Sequence, residues 1–240
     1  MIEILINKNC FLTGATGGLG RQIAYSLISQ NCNLFLTSKN ELKLKKLVND
    51  LKKRNDSITI KYKAANLENS DDVDNIIKDV KTKSFSIDIL INCAGIFPVK
   101  SISKSKSLDF DSCFSINVRA PFFFAKEFSK NMSSKKWGRI INIASSSAYD
   151  GFENTSIYSA SKHALLGLSR SLDKELKSKN IRTICISPGS IKTKMGKKVP
   201  NQNYETFMNP KEIASLIISL ISYDNEMTIN EIRLNRMVIE

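Results

Sequence analysis

Short apolar runs alternate with helical segments along the whole of this chain, and that alternation leaves few folds open. Apolar runs occupy residues 4–13, 33–37, 57–64, 87–92, 139–144, 182–187 and 229–234. Between them, 21–30, 41–54, 71–83, 109–132, 157–178 and 210–222 carry helical spacing. Strands this apolar must be covered on both faces. Strand–helix repetition with right-handed crossovers then builds a parallel sheet between two helical layers. The expected fold class is α/β, one doubly wound domain over residues 1–240. The only long irregular stretch, 192–209, is a candidate lid.

Composition excludes several alternatives. No apolar run approaches the ~20 residues that span a bilayer, and residues 1–10 carry no cleavable signal pattern. A cytoplasmic protein without membrane contact is expected. Five scattered cysteines and a single histidine, His163, give no metal-ligand spacing, so no metal is expected. The net charge of +13 is high, but the lysines are spread along the chain. The densest stretch, 39–54, places leucines at 42, 44, 47 and 51 and reads as a helix with a wet basic face. Nucleic acid is not an expected partner, since no finger, basic arm or RNA-binding motif accompanies the charge.

The turn Thr13-Gly14-Ala15-Thr16-Gly17-Gly18-Leu19-Gly20 lies between the first strand and the first helix. Glycines there permit a tight turn, close approach of a pyrophosphate and close helix–strand packing. The helix that follows aims its amides and positive dipole end at the phosphates. At the end of the second strand stand Ser38 and Lys39. No carboxylate is present to hold a ribose 2′-hydroxyl or repel a 2′-phosphate, and Lys39 can pair with one. NADP(H) is therefore favoured over NAD(H).

Tyr158 and Lys162 stand at i and i+4, on one helical face. A tyrosine with a pKa of ~10 is a poor proton carrier at neutral pH, and a neighbouring ammonium lowers that value. Thirteen residues before Tyr158, just past a strand, is Ser145. In parallel sheets ligands sit outside the carboxyl ends of strands, so Ser145 is placed to hydrogen-bond a substrate oxygen.

Together the segments TGATGGLG (13–20), NCAG (92–95), INVRAPF (116–122), SSS (145–147) with YSASK (158–162), and PGSIKT (188–193) resemble the short-chain dehydrogenase/reductases, in their single-domain branch. There is partial resemblance to 3-oxoacyl-acyl-carrier-protein reductases. The resemblance implies a Rossmann-type, mostly parallel seven-stranded sheet and hydride transfer between a nicotinamide and a carbonyl or secondary alcohol. It implies that Tyr158 exchanges a proton with the substrate oxygen and that Lys162 lowers its pKa and holds the nicotinamide ribose. It implies that Ser145 orients the substrate and that Asn117 holds a water linking Lys162 to solvent. Cofactor contacts would come from Gly14, Thr16, Gly17, Gly18, Leu19, Gly20, Ser38 and Lys39. Asn66 and Leu67 would join them, with Asn66 near the adenine where members usually carry an acidic residue. Asn92, Ala94 and Gly95 would run beside the cofactor. Pro188, Gly189, Ile191 and Thr193 would contact its carboxamide and pyrophosphate. Thr193 is also a potential helix cap, and His163 is incidental.

Four lysines at the candidate lid (Lys192, Lys194, Lys197 and Lys198) suggest a substrate with an anionic portion. Lys136 and Lys179 lie where carrier-protein reductases often have basic residues. The C-terminus lacks the glycine pair of many such enzymes. A homodimer or homotetramer is expected through apolar residues such as Phe122, Phe123, Phe128, Leu165, Leu168 and Leu172. Two alternatives compete with a carbonyl reductase: a nucleotide-sugar modifying relative, and a nucleotide-binding sensor without turnover. The first needs a substrate lobe for which the chain has little room. The second has no need of Asn117, Ser145, Tyr158 and Lys162 together.

Overall fold

The computed structural model describes residues 3–83, 85–200 and 202–237. Seven strands form one sheet: β1 (Asn9–Thr13), β2 (Asn33–Ser38), β3 (Ile60–Ala64), β4 (Ile89–Asn92), β5 (Gly138–Ile143), β6 (Ile181–Pro188) and β7 (Glu231–Leu234). Their spatial order is β3-β2-β1-β4-β5-β6-β7. Every pairing is parallel, so the sheet is wholly rather than mostly parallel. The order reverses between β1 and β4, and there the carboxyl ends of the strands open a crevice.

Alternation along each strand divides the core. Cys10 and Leu12 of β1, with Ile89 and Ile91 of β4, point to one face. That face is covered by α1 (Gly18–Ile28), α2 (Glu41–Lys52) and α7 (Pro210–Ser222). Phe11 and Leu90 point the other way, towards α3 (Ser70–Thr82), α5 (Ala120–Lys135) and α6 (Ser156–Leu176). There Phe11 lies 4.8 Å from Phe124 and 5.0 Å from Phe128, ring centre to ring centre. Each buried side chain of this size contributes roughly 1.5–3 kcal/mol. Asparagines cap α2, α3 and α7, with Asn40, Asn69 and Asn209 accepting from Lys43, Asp71 and Lys211 amides.

Two elements depart from expectation. The apolar start, 4–13, is not one strand: Glu3–Leu5 forms a 3₁₀ turn, Asn7 takes a left-handed backbone, and β1 begins at Asn9. Leu5 is nonetheless fully buried, and a short apolar run does not distinguish a strand from a helical turn. The expected helix over 109–132 is three pieces: α4 (Ser107–Phe114), a π turn (Ser115–Arg119) and α5. Pro121 has no N–H for the carbonyl four residues back, Asn117, and the widened turn lies just before it.

Arg139 ties the start of β5 to the end of α7. It is fully buried on β5. Its guanidinium donates to the carbonyls of Ile221 and Tyr223, where α7 ends, and at 2.8 Å to Asp224. Open carbonyls at a helix end are thus met by a cation, the sign that the dipole favours there. No described helix is long and apolar enough to cross a membrane.

Candidate active site

The crevice is a cleft of about 910 Å³ running from the glycine turn to Tyr158. Its first wall is built by steric necessity. Gly14 has a left-handed backbone (φ 67°), and a Cβ there would lie 2.8 Å from the Ala94 backbone. A Cβ on Gly20 would collide with the Gly14 carbonyl, and one on Gly18 would lie 2.6 Å from Thr193 Cγ2. Thr13 Oγ1 accepts from both the Cys93 and the Ala94 amides at 3.0 Å, pinning the loop after β4 against the turn. Gly17 supplies no capping side chain to α1, so the first-turn amides are left to a ligand.

The far end of this wall carries Ser38, Lys39, Asn66 and Leu67. Ser38 and Thr16 hydroxyls share a hydrogen bond at 2.5 Å. Lys39 Nζ lies 3.5 Å from Glu68, with its side chain 70% exposed. Asn66 receives the Glu68 amide on its side-chain oxygen at 3.4 Å, while its own amide donates to Asp72. Arg21, Asn40 and Lys43 border the same end. None of these three was singled out by sequence, although Arg21 directly follows the last glycine and Lys43 stands one helical turn beyond Lys39.

At the other end, Tyr158 is buried and lines the cleft together with Ser145. Phe97 packs edge-on against its ring at 4.6 Å. Lys162 Nζ stands 5.6 Å from the ring centre and donates to the Ile143 carbonyl at 2.8 Å. Burial pushes the phenol up to about 12, with the Ser145 side chain easing it down. Burial also pulls the Lys162 ammonium down to about 8. The net lowering of the Tyr158 phenol expected from its spacing to Lys162 is not found: burial dominates and holds the phenol above its ordinary value.

Most residues singled out by sequence converge on this cleft. Gly14, Thr16, Gly17, Gly18, Leu19, Gly20, Ala94, Gly95, Ser145, Tyr158, Lys162, Pro188, Gly189, Ile191 and Thr193 line it. Two do not. Asn92 turns its side chain into the protein, donating to Asn142 Oδ1 at 2.8 Å across the β4–β5 register. Asn117 sits in the π turn, fully buried. Its Oδ1 accepts from the Ile96 amide at 3.0 Å, and its Nδ2 lies 3.0 Å from Ser161 Oγ. Gly95 separates it from Lys162: a Cβ there would stand 3.3 Å from Asn117 Oδ1 and 3.6 Å from Lys162 Nζ. His163 bonds its own helix at Ser159.

Of the candidate lid, Thr193, Lys194, Met195, Gly196, Val199, Pro200 and Gln202 line the cleft. A parallel bridge joins Ile191 and Met208. Thr193 Oγ1 accepts from the Gly196 amide, the capping role open to it in the sequence. The four lysines are not a concerted positive patch. Lys192 pairs with Glu205 at 2.9 Å, Lys197 lies over Tyr204, and only Lys194 lines the cleft. Glu153 lines it as well, beside Phe97, Phe152, Met195 and Val199. Lys136 and Lys179 stand two residues before β5 and β6, at the end of the sheet opposite the cleft.

The family pattern described as short chain dehydrogenase matches residues 8–204. The chain belongs to the short-chain dehydrogenase family. As a member it is an oxidoreductase. It is 34% identical over 227 residues to a 3-oxoacyl-[acyl-carrier-protein] reductase of Rickettsia bellii, covering 91% of this chain and 90% of that one. A reductase of the same name from Buchnera aphidicola is 33% identical, with 90% of each chain covered. Among solved short-chain dehydrogenase folds, L-sorbose reductase from Gluconobacter frateurii, complexed with NADPH and L-sorbose, superposes with a TM-score of 0.89 at 22% identity over 98% of both chains. A 4-hydroxyisoleucine dehydrogenase complexed with NADH gives 0.84 at 27% identity, over 96% of this chain and 98% of that one.

Proposed function

We propose that the protein is an NADPH-dependent carbonyl reductase acting on 3-oxoacyl thioesters. The observation that carries the reading is the presence of Ser145, Tyr158 and Lys162 together at one end of a cleft that begins at the glycine turn. The cleft suits a dinucleotide because Gly14, Gly18 and Gly20 let the turn pack tightly against the Ala94 backbone, Thr193 and itself, which leaves the first-turn amides of α1 facing the crevice. The turn and α1 amides hold the pyrophosphate, Asn66 and Leu67 border the adenine, Lys162 holds the nicotinamide ribose, and Pro188–Thr193 closes over the rest. When bound, the nicotinamide supplies or accepts the hydride.

The chain's own part is proton management and position. Ser145 hydrogen-bonds the carbonyl oxygen and turns it towards Tyr158. Tyr158 delivers its phenolic proton to that oxygen as the carbon is reduced, so carbonyl, hydride and proton become alcohol. Lys162, protonated beside it, stabilises the phenolate that remains, and Asn117 holds the water through which Lys162 reaches solvent. Phe97, Phe152, Met195 and Val199 keep bulk water out and suit an acyl chain. For the 2′-phosphate, Lys39, Lys43 and Arg21 stand at the appropriate end. The relatives' printed names favour a carrier-linked acyl substrate. With Lys136 and Lys179 at the far end of the sheet, Lys194 at the mouth is the cation nearest an incoming carrier or its phosphorylated arm.

The assay is consumption of NADPH and of NADH with acetoacetyl thioesters and with neutral ketones. Turnover of the thioester with NADPH, at least tenfold faster than with NADH, is expected. No turnover of any thioester overturns the substrate assignment, and equal rates with both nucleotides overturn the cofactor assignment. We further propose a homodimer or homotetramer. Phe122 and Phe123 remain 44% and 38% exposed, whereas Phe128 and Leu165 are spent on the core. Light scattering after size exclusion decides it, and Phe122→Asp should shift the mass to monomer.

A further inference from the structure

Ser161 lies between Tyr158 and Lys162 in sequence, fully buried, and has no part in the chemistry proposed above. Its hydroxyl donates to the Tyr158 carbonyl at 2.7 Å. The same oxygen lies 3.0 Å from the Asn117 amide nitrogen, which donates to it, and 3.5 Å from the Cys113 thiol. One donor and two acceptor positions are all that a hydroxyl has, so Ser161 is saturated. Asn117 Nδ2 also lies 3.3 Å from Cys113 Sγ and 3.1 Å from the Ile96 carbonyl, so its two hydrogens are shared among three acceptors, while its Oδ1 accepts from the Ile96 amide at 3.0 Å. Four elements meet at this node: the end of α4, the π turn, the loop after β4, and the α6 turn that carries Tyr158 and Lys162.

The arrangement has a mechanical meaning. A π turn gives up regular backbone pairing, and Asn117 is on one. The Ile96 backbone holds its side chain from one side only, so support from the other side decides how firmly it is fixed. Ser161 supplies that support from α6, and Cys113 supplies it from one turn earlier in the same helical run. Ile96 follows Gly95, whose missing Cβ leaves the space between Asn117 Oδ1 and Lys162 Nζ. Fixing Asn117 therefore fixes the wall of that space.

We infer that Ser161, backed by Cys113, is a positioning residue that locks Asn117 against the helix bearing Tyr158 and Lys162, and so sets the geometry around the Lys162 ammonium. This rests on the proposed reductase reading, and the experiment separates the two. Activity is measured for Tyr158→Phe, Ser161→Ala, Asn117→Ala and the Ser161→Ala/Asn117→Ala double variant. Amide exchange at Ile96, whose N–H is held by Asn117, is measured on the same proteins without nucleotide.

Ser161→Ala should lower kcat about tenfold, the worth of one hydrogen bond of roughly 1.4 kcal/mol, with KM and NADPH affinity within about twofold. The double variant should be no slower than Asn117→Ala alone, because Ser161 acts through Asn117. Ile96 exchange should quicken about tenfold in Ser161→Ala. Losses that multiply in the double variant, or unchanged Ile96 protection, overturn the inference while leaving the reductase reading intact. An active Tyr158→Phe overturns the reductase reading itself, and Ile96 exchange then still decides whether Ser161 holds Asn117. If Ser161→Ala fails to fold, Cys113→Ala crossed with Asn117→Ala gives the same test, with a smaller loss expected.

Discussion

Gly18 and Thr193 face each other across the cleft: a methyl group added to Gly18 would stand 2.6 Å from Thr193 Cγ2. The start of α1 and the start of the candidate lid are therefore in contact before any ligand arrives. Gly18→Ala should displace Thr193 and weaken NADPH binding about tenfold or more, since the same residue caps the turn at Gly196. A loss of this size corresponds to about 1.4 kcal/mol. Thr193→Ser removes the nearest clashing atom and keeps the capping oxygen but leaves the residue's Cβ 2.9 Å away, so it should restore part of the affinity lost in Gly18→Ala. Nucleotide titration of the single and double variants checks this, and an unrescued double variant counts against the steric account.

Burial places Lys162 at about 8 and Tyr158 at about 12 in the absence of nucleotide. In an unfolded chain lysine and tyrosine titrate near about 10.4 and 10. Between about pH 8 and 10.4 the unfolded chain binds a proton that folded Lys162 has lost, so stability rises with pH. Above about pH 10 unfolded tyrosine loses a proton that Tyr158 keeps, and stability falls. The thermal midpoint of the nucleotide-free protein should therefore climb relative to Lys162→Met from pH 8 towards 10. Parallel curves over that range would show that Lys162 is not desolvated.

Arg139→Met would leave the Ile221 and Tyr223 carbonyls and the Asp224 carboxylate without their shared donor. The carbonyls lie at the end of α7, and Asp224 is about one-third exposed. A destabilisation of about 1–3 kcal/mol follows from the unmet acceptors. Denaturant unfolding measures it. Nucleotide affinity should change little, because the site lies at the opposite end of the sheet.

Lys39 and Glu68 form a loose pair at the edge of the cleft. Removing the carboxylate frees the cation, so Glu68→Gln should tighten NADPH relative to NADH by a few fold. Lys39→Asp should reverse the preference, because it adds the carboxylate that repels a 2′-phosphate and accepts from a 2′-hydroxyl. Dissociation constants for both nucleotides, measured at low and moderate salt, check the sign and its screening.

Much of this was legible in the sequence, for identifiable reasons. Strand and helix periods differ enough that the alternation from residue 9 to 234 could be read, and the glycine turn announced itself by its place between β1 and α1. Tyr158 and Lys162 were readable because helical spacing puts them on one face, whereas Ser145 was picked from three consecutive serines by the family resemblance. What stayed hidden depends on distant partners. Asn92 resembled a cofactor contact, but its side chain is claimed by Asn142, fifty residues away. Nothing local to Arg139 reveals that α7 ends against it. The break at Asn117 was signalled by Pro121, yet the spacing of apolar residues runs through the π turn without interruption. Four lid lysines looked alike, and only folding separates the one beside the cleft from those engaged with Glu205 and Tyr204.

Trp137 is the one tryptophan of the chain, and it is held between two cations, Lys8 at 4.1 Å and Arg139 at 4.3 Å from its ring. It immediately precedes β5, whose six residues put about 20 Å of strand between it and the cleft. The molecule thus carries its own optical gauge of integrity. Indole emission will register release of the Arg139 anchor as the protein melts, and it stands clear of direct contact with whatever fills the crevice. Folding and ligand occupancy can be followed as separate signals in one cuvette, without a label.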